Sequence, residues 1–393
     1  MSIPVYTIQS DLGHAVRAPW LEQVGQCLEG GLTEVSLSEY LRSPFALLFV
    51  ASGGSENLFL QFADRLPDRP VYLLTSGESN SLAASMEILS YLCTAGRRGE
   101  ILHGKPENVA ERIRLLSRVS RAKEKLKGSV LGCVGAPSDW LISSPFDDSV
   151  CREKLGVRFE QIPMEELLRE YERDGGYPED ARTEELLRRS FDRAETGKAL
   201  RLYGALERVV KTHHLAGVSL RCFDLLDTLK TTGCLALALL NARGIPAACE
   251  GDMPALLSMA VVNALTGENP GFMCNPSRID SVSGEMVLAH CTLPLTMPLD
   301  YSLMTHYESG IGVALRGKLP EGVCTLFKTD VHLNRFMAQR AVLLSNPEEE
   351  HLCRTQAKLR AEDTGYFLKR PIGNHHILCM GDHKKELQAF FEE

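Results

Sequence analysis

Three carboxylates fall within one short segment, at positions that suit cation binding or proton transfer. Asp224 follows the apolar run AGVSLRC, Glu250 closes the run GIPAAC, and Asp252 lies two residues further on. Both runs have strand character. Leu225 to Ala242 between them has helical spacing, with Leu226, Leu229, Leu237 and Leu240 as apolar positions. Met253 to Leu265 reads as the next helix, with Pro254 in its first turn. The order over 216–267 is therefore β-α-β-α. The two strands of such a unit run parallel, with their carboxyl ends side by side at ~4.8 Å. Two or three carboxylates then converge on the rim where open α/β sheets bind ligands. Clustered carboxylates persist where a cation or a shared proton compensates them. Capping of the following helix is the competing explanation for Asp224 and for Asp252. It does not explain Glu250, an acid that ends an apolar strand.

Histidines supply the second element. His375 and His376 sit between the loop RPIGN and the apolar run ILCM, an unusual place for solvated residues, and either could be a ligand. His213 and His214 precede a strand beside a lysine and read as surface residues. His290 and His306 lie within or beside strands, where a histidine is more often a satisfied core residue than a ligand. Oxygen-rich ligands with one imidazole suit Mn²⁺ or Mg²⁺ better than a thiolate-seeking metal.

The elements that must position these residues follow from the rest of the chain. Its 393 residues exceed one ordinary core and predict two or three domains. FALLFVASGG (45–54) and RPVYLLTSG (69–77) read as strands, and Asn80 to Leu92 as a helix, the alternation of a parallel, doubly wound sheet. The turn Gly53-Gly54-Ser55-Glu56-Asn57 matches neither GxGxxG nor a phosphate-binding loop. A basic helical stretch fills 106–127, and SVLGCVGAP (129–137) opens a new strand. The charge-rich stretch 163–210 reads as helices with solvated faces. Beyond 268, short runs such as EMVLAHCTLPL, GIGVALRG and GVCTLFKT carry antiparallel strand signals. The expected fold is α/β: two doubly wound Rossmann-like parallel-sheet domains, 1–127 and 128–267, and a mostly antiparallel, barrel-like β domain at 268–370. The strand and helix of 371–393, with Asp382 as N-cap, are expected to rejoin the central domain.

Composition narrows the function class. Net charge is −8 and no basic block appears, which argues against nucleic acid and anionic membrane surfaces as partners. No run reaches the ~20 apolar residues of a membrane span. The start, MSIPVYTIQSD, lacks the pattern of a signal peptide, and twelve cysteines without a CxxC pair read as free thiols in a reducing compartment. A cytoplasmic location is expected.

The segment FDLLDTLKTTGCLALALLNARGIPAACEGDMPALLSM (223–259) resembles the acidic βαβ segment of arabinose isomerases and their fucose isomerase relatives. Asp224 and Glu250, twenty-six residues apart, fall on that family's two acid positions. IGNHHILCMGDH (372–383) resembles its segment with a Mn²⁺-binding histidine, His375 aligning best. GGSEN (53–57), NSLAASMEILSYL (80–92) and GAPSDWL (135–141) look like signatures of the fucose-isomerase-like group. Asp224 stands where the family has Glu, FMCNPSRID (272–280) lacks a further ligand histidine, and the chain is much shorter.

The resemblance implies a metal-dependent aldose–ketose isomerase working through an enediolate. Asp224 and Glu250 would bind Mn²⁺ (or Mg²⁺) and carry protons. His375 would complete the coordination, and Asp252 would be a third ligand or orient one. Ser55, Glu56, Asn57, Arg221, His306 and His376 are candidate contacts to the sugar. A homo-oligomer, trimeric or hexameric, is implied as well. An epimerase, an aldolase or a non-catalytic sugar-binding protein would present the same residues.

Overall fold

The structure, a computed structural model, describes residues 2–10, 19–173, 175–189, 191–267 and 269–392. It divides into two compact units, one of residues up to Glu124 and one spanning Lys125–Phe391. Each is built on a parallel sheet, as the alternation of strands and helices requires.

In the first unit, β1 (Ile3–Ile8), β2 (Leu32–Glu34), β3 (Leu47–Val50), β4 (Val71–Leu74) and β5 (Gly99–Leu102) form a parallel sheet in the order β2-β1-β3-β4-β5. Its central strands β3 and β4 are apolar and buried on both faces. Leu47 and Phe49 pack with Val109, Ile113 and Leu116 of the helix Pro106–Leu126. Leu48 and Val50 pack on the opposite side with Ala84, Ile88 and Leu92 of the helix Ser81–Thr94. A continuous apolar run is what a strand covered on both faces must have.

The second unit begins with β6 (Val130–Val134), β7 (Arg158–Ile162), β8 (Gly217–Leu220) and β9 (Ala247–Cys249), parallel in the order β7-β6-β8-β9. The chain crosses from one side of β6 to the other between β7 and β8. The carboxyl ends of β6 and β8 therefore flank a switch in strand order, the usual ligand crevice of such sheets. The charge-rich stretch becomes three helices, Met164–Glu172, Ala181–Arg188 and Arg193–Thr212.

Eight further strands follow: β10 (Phe272–Asp280), β11 (Glu285–His290), β12 (Asp300–Met304), β13 (Ala314–Lys318), β14 (Gly322–Thr329), β15 (Phe336–Ser345), β16 (Thr355–Ala361) and β17 (His376–Met380). Six of them close an antiparallel barrel in the order β10-β11-β16-β15-β14-β17, and β12 pairs with β13 alone. Phe272, Leu288, Leu326, Leu359 and Leu378 belong to the cluster that fills it. This mixed α/β architecture with a closed barrel is the expected fold class.

Three local expectations change. The segment 371–393 does not rejoin the central sheet with its strand: β17 pairs antiparallel with both β10 and β14 and closes the barrel. The helix expected over Leu225–Ala242 is two helices, Asp224–Thr228 and Cys234–Ala242. Lys230 between them takes a left-handed φ of 50°, and Thr231 and Thr232 turn inward, which a continuous helix does not permit. His213 is not a free surface residue. At the end of the helix Arg193–Thr212 its Nδ1 meets Glu160 at 2.5 Å and its Nε2 meets Glu166 at 2.7 Å, tying that helix to β7 and to the helix Met164–Glu172.

The bond to Glu166 raises the His213 pKa most; burial opposes it, and Glu160 adds to the rise. A raised folded-state pKa gives stability that is complete below the unfolded value of about 6.5 and is lost as pH rises through the folded value. His213→Gln is therefore expected to lower unfolding free energy by ~1 kcal/mol at pH 5.5 and to have a smaller effect at pH 9, measured by urea denaturation at both pH values.

Candidate active site

The rim of the second unit's sheet is built by three loops. Residues 135–148 follow β6, residues 221–223 follow β8, and Glu250–Asp252 follow β9. The last turn is tight. Glu250 has a φ of 65° and Gly251 a φ of 71°, two successive left-handed residues of which only the second is glycine. A non-glycine residue held there marks strain that its surroundings must overcome. The loop after β6 does so. Ser138 donates its backbone N–H to the Glu250 carbonyl at 2.9 Å, and the Ala136 carbonyl lies so close that a Cβ on Gly251 would meet it at 2.4 Å. Trp140 Nε1 donates to Glu250 Oε2 at 2.6 Å. The sequence GAPSDW thus acts as a clamp on the EGD turn.

Asp252 caps the helix Met253–Thr266, accepting from the Ala255 N–H through Oδ1 at 2.8 Å, as a strand-to-helix turn with Pro254 in its first helical turn leads one to expect. Its other oxygen receives His375 Nδ1 at 2.9 Å, and Lys328 Nζ of β14 stands 3.7 Å from Oδ1. All three side chains are fully or almost fully buried. Asp252 thereby joins the sheet rim to the barrel.

Barrel and rim then meet in one donor group. Glu250, His290 at the end of β11 and His375 just before β17 each offer a ligand atom, all within 4.8 Å of one another. His375 Nε2 is 3.4 Å from Glu250 Oε1, and His290 Nε2 is 4.0 Å from the same oxygen. His375 Nε2 is buried without a hydrogen-bond partner. With Nδ1 committed to Asp252, the ring presents Nε2 to its neighbours, the arrangement in which a metal-binding imidazole is oriented by a carboxylate behind it. An orphaned buried nitrogen beside a second imidazole and a carboxylate fits a divalent first-row cation.

The carboxylates and imidazoles of the group compensate one another's charge. Burial alone pushes the Glu250 carboxyl up, but His375, His290 and Trp140 more than offset it and hold it at about 2. Asp252 is likewise penalised by burial and held well below the usual carboxylate range by Lys328 and His375. Burial depresses His375, and its two carboxylate neighbours reverse this to about 9. Burial and the neighbouring His375 bring His290 down to about 4. Burial also lowers Lys328, which the charge of Asp252 partly offsets.

The expected residues are distributed as follows. Glu250, Asp252 and His375 come together. Asp224 is not in the donor group: its Oδ1 takes Arg221 Nε at 3.0 Å, and its side chain is 43% exposed. Arg221, three residues earlier, reaches it directly, and the same guanidinium bonds the Pro137 carbonyl and Asp139. His376 faces the other way, because successive strand residues alternate sides. Its Nε2 meets the Tyr366 hydroxyl at 3.0 Å, Nδ1 meets the Asn374 carbonyl, and burial holds it at about 3. His306 is buried, with Nδ1 on Ser309 Oγ and its ring edge-on to Phe223. Ser55, Glu56 and Asn57 lie in the first unit at the start of the helix Glu56–Leu60, where the buried Ser55 hydroxyl donates to the Ser52 carbonyl. Sequence reasoning missed His290 as a donor, Lys328 and Trp140. For His290 one signal was present: a polar ring ends the apolar strand EMVLAH, just as Glu250 ends GIPAAC.

No family model matches the chain. It is similar to the sulfoquinovose isomerase of Clostridium sp. (strain MSTE9), 28% identical over 226 residues, covering 54% of this chain and 49% of that protein. The sulfoquinovose isomerase of Alkalicoccus urumqiensis is 21% identical over 265 residues, 63% of this chain and 59% of the relative. That of Priestia aryabhattai is 23% identical over 296 residues, 71% and 66%. The chain thus spans about half to two thirds of the length of the curated relatives it matches.

Two substitutions probe the frame of the site. Gly251→Ala is expected to destabilise the chain by on the order of 2–4 kcal/mol, because both the φ and the Ala136 carbonyl oppose a Cβ. Asp252→Asn is expected to lose ~3 kcal/mol, leaving Lys328 buried without its counter-charge. Chemical denaturation measures both.

Proposed function

We propose that this chain belongs to the fucose/arabinose isomerase-like group and interconverts an aldose and a ketose, aided by a divalent cation held by Glu250, His290 and His375. The observation that carries the reading is the buried carboxylate–imidazole–imidazole group, with its orphaned His375 nitrogen, at the carboxyl rim of a parallel sheet. Similarity to three sulfoquinovose isomerases supports the reaction type.

Two imidazoles and one carboxylate form a more nitrogen-rich set than the sequence suggested. Such a set favours Mn²⁺, or a later first-row metal, over Mg²⁺. Bound there, the cation would supply Lewis-acid polarisation of the oxygens on C1 and C2. The chain's own residues do the rest. Glu250 would hold the cation through Oε1, and its Oε2, bonded to Trp140 with a lone pair to spare, can accept the proton that leaves one carbon and return it to the next. Asp224, at the same rim and carried by Arg221, is the second acid of the proposal. Asp252 holds the His375 ring through Nδ1 and so fixes which nitrogen faces the site. Burial behind the barrel keeps competing water away from the charged groups. Sulfoquinovose, the substrate in the relatives' names, is the first sugar to try; the proposed protein is a cytoplasmic homo-oligomer.

The test is conversion of sulfoquinovose and a panel of neutral aldoses, followed by product chromatography, after metal stripping and after Mn²⁺ addition. Ketose should form only with metal restored. Glu250→Gln and His290→Ala should each lower kcat/KM by about a hundredfold or more. Epimerised product in place of ketose would make the chain an epimerase. Unchanged sugar with every metal would leave the isomerase reading without support.

A further inference from the structure

Trp140 is an unusual residue to find at such a rim. It is 53% exposed, although a large aromatic ring gains most by burial, and it is held in place at both ends. Its indole nitrogen donates to Glu250 Oε2 at 2.6 Å, a bond to an ionised acceptor and therefore among the stronger kinds. The backbone N–H of Ser138, two residues earlier, is bonded to the Glu250 carbonyl. Phe223 meets the indole edge-on at 5.0 Å between centroids and 84°, and His306 meets Phe223 in the same manner at 5.7 Å. Three aromatic rings, each nearly perpendicular to the next, thus follow one another from the carboxylate of the donor group and form an aromatic wall.

We propose that Trp140 is a positioning and specificity residue for the isomerase site. Its N–H fixes Glu250 Oε2 in place, which turns Oε1 toward His290 and His375. The exposed indole face, backed by Phe223, receives the C–H side of an open-chain sugar. The chemistry of the wall recommends that ligand. A polyhydroxylated chain offers apolar C–H groups on one side and hydroxyls on its edges, and here a half-exposed indole adjoins a carboxylate and two imidazoles. The proposal rests on the isomerase reading and adds to it the residue that selects and orients the substrate.

The chain has two tryptophans, and Trp20 lies in the other unit, bonded to the Gly104 carbonyl. Trp20→Phe therefore leaves Trp140 as the sole tryptophan, excited selectively at wavelengths the tyrosines do not absorb. In that protein, loaded with Mn²⁺, a sugar that is turned over should shift or quench the emission. Trp140→Phe, assayed at the Mn²⁺ concentration that titration calorimetry shows to saturate it, should lower kcat about tenfold or more relative to the saturated parent. Phe223→Leu should raise KM severalfold with kcat retained. A silent Trp140 during turnover, or Trp140→Phe with parental kcat and KM, overturns the proposal while the isomerase reading stands. Should Trp140→Phe fail to fold, the emission titration decides. An emission change without turnover of any sugar keeps the wall as a binding surface and removes the isomerase; silence without turnover removes both.

Discussion

One buried carboxylate holds this architecture to its chemistry. Asp252 ends the β9 turn, caps the helix Met253–Thr266, receives His375 from the barrel and stands against Lys328 of β14. A lone carboxylate in such a place is strongly disfavoured, and so is a lone lysine. Each is tolerated because the other is present, and both require that sheet rim and barrel keep their mutual register. The charges inside the second unit thus fix the relation between its two layers, which in turn brings Glu250 and the two histidines within reach of one another.

The same constraint explains why strain gathers at Glu250. To project Oε1 toward the barrel, the residue after β9 adopts a left-handed backbone, and the loop 135–141 supplies the bonds that keep it there. The rigidity is local and purposeful: a carboxylate whose carbonyl, backbone and second oxygen are all fixed has little freedom to reorganise when charge develops near it. Preorganised groups of this kind are what makes a site chemically effective.

Much of this was legible in the sequence. Glu250 was marked because an acid at the end of an apolar run has no ordinary structural reason to be there, and strand alternation with helices gave the fold class. Glu250 and Asp252 share the turn after one strand, and the parallel geometry of successive strands placed Asp224 at the same rim. His375 came to the site through resemblance alone, since nothing local indicates that its strand crosses to the sheet rim. Asp224 shows the limit of strand-end reasoning: adjacency brings it to the rim, but its carboxylate pairs with Arg221 and stays outside the donor group. His290 and Lys328 were hidden because their roles depend on which barrel strands face the sheet, a relation that no local pattern encodes. The break at 229–233 was hidden for the opposite reason, an apolar periodicity that continues across an interruption in the backbone.

The barrel's manner of closure bears on how the chain reaches its native state. Leu378 of β17 pairs with Phe272 of β10 on one side and with Leu326 of β14 on the other, so the strand His376–Met380 is inserted between partners made much earlier in the sequence. Until it docks, β10 and β14 each present a row of unpaired backbone groups, and the apolar interior lies open to other chains. Exposed edges of this kind invite intermolecular pairing. The docking of β17 removes both edges at once, and the same event delivers His375 to the rim.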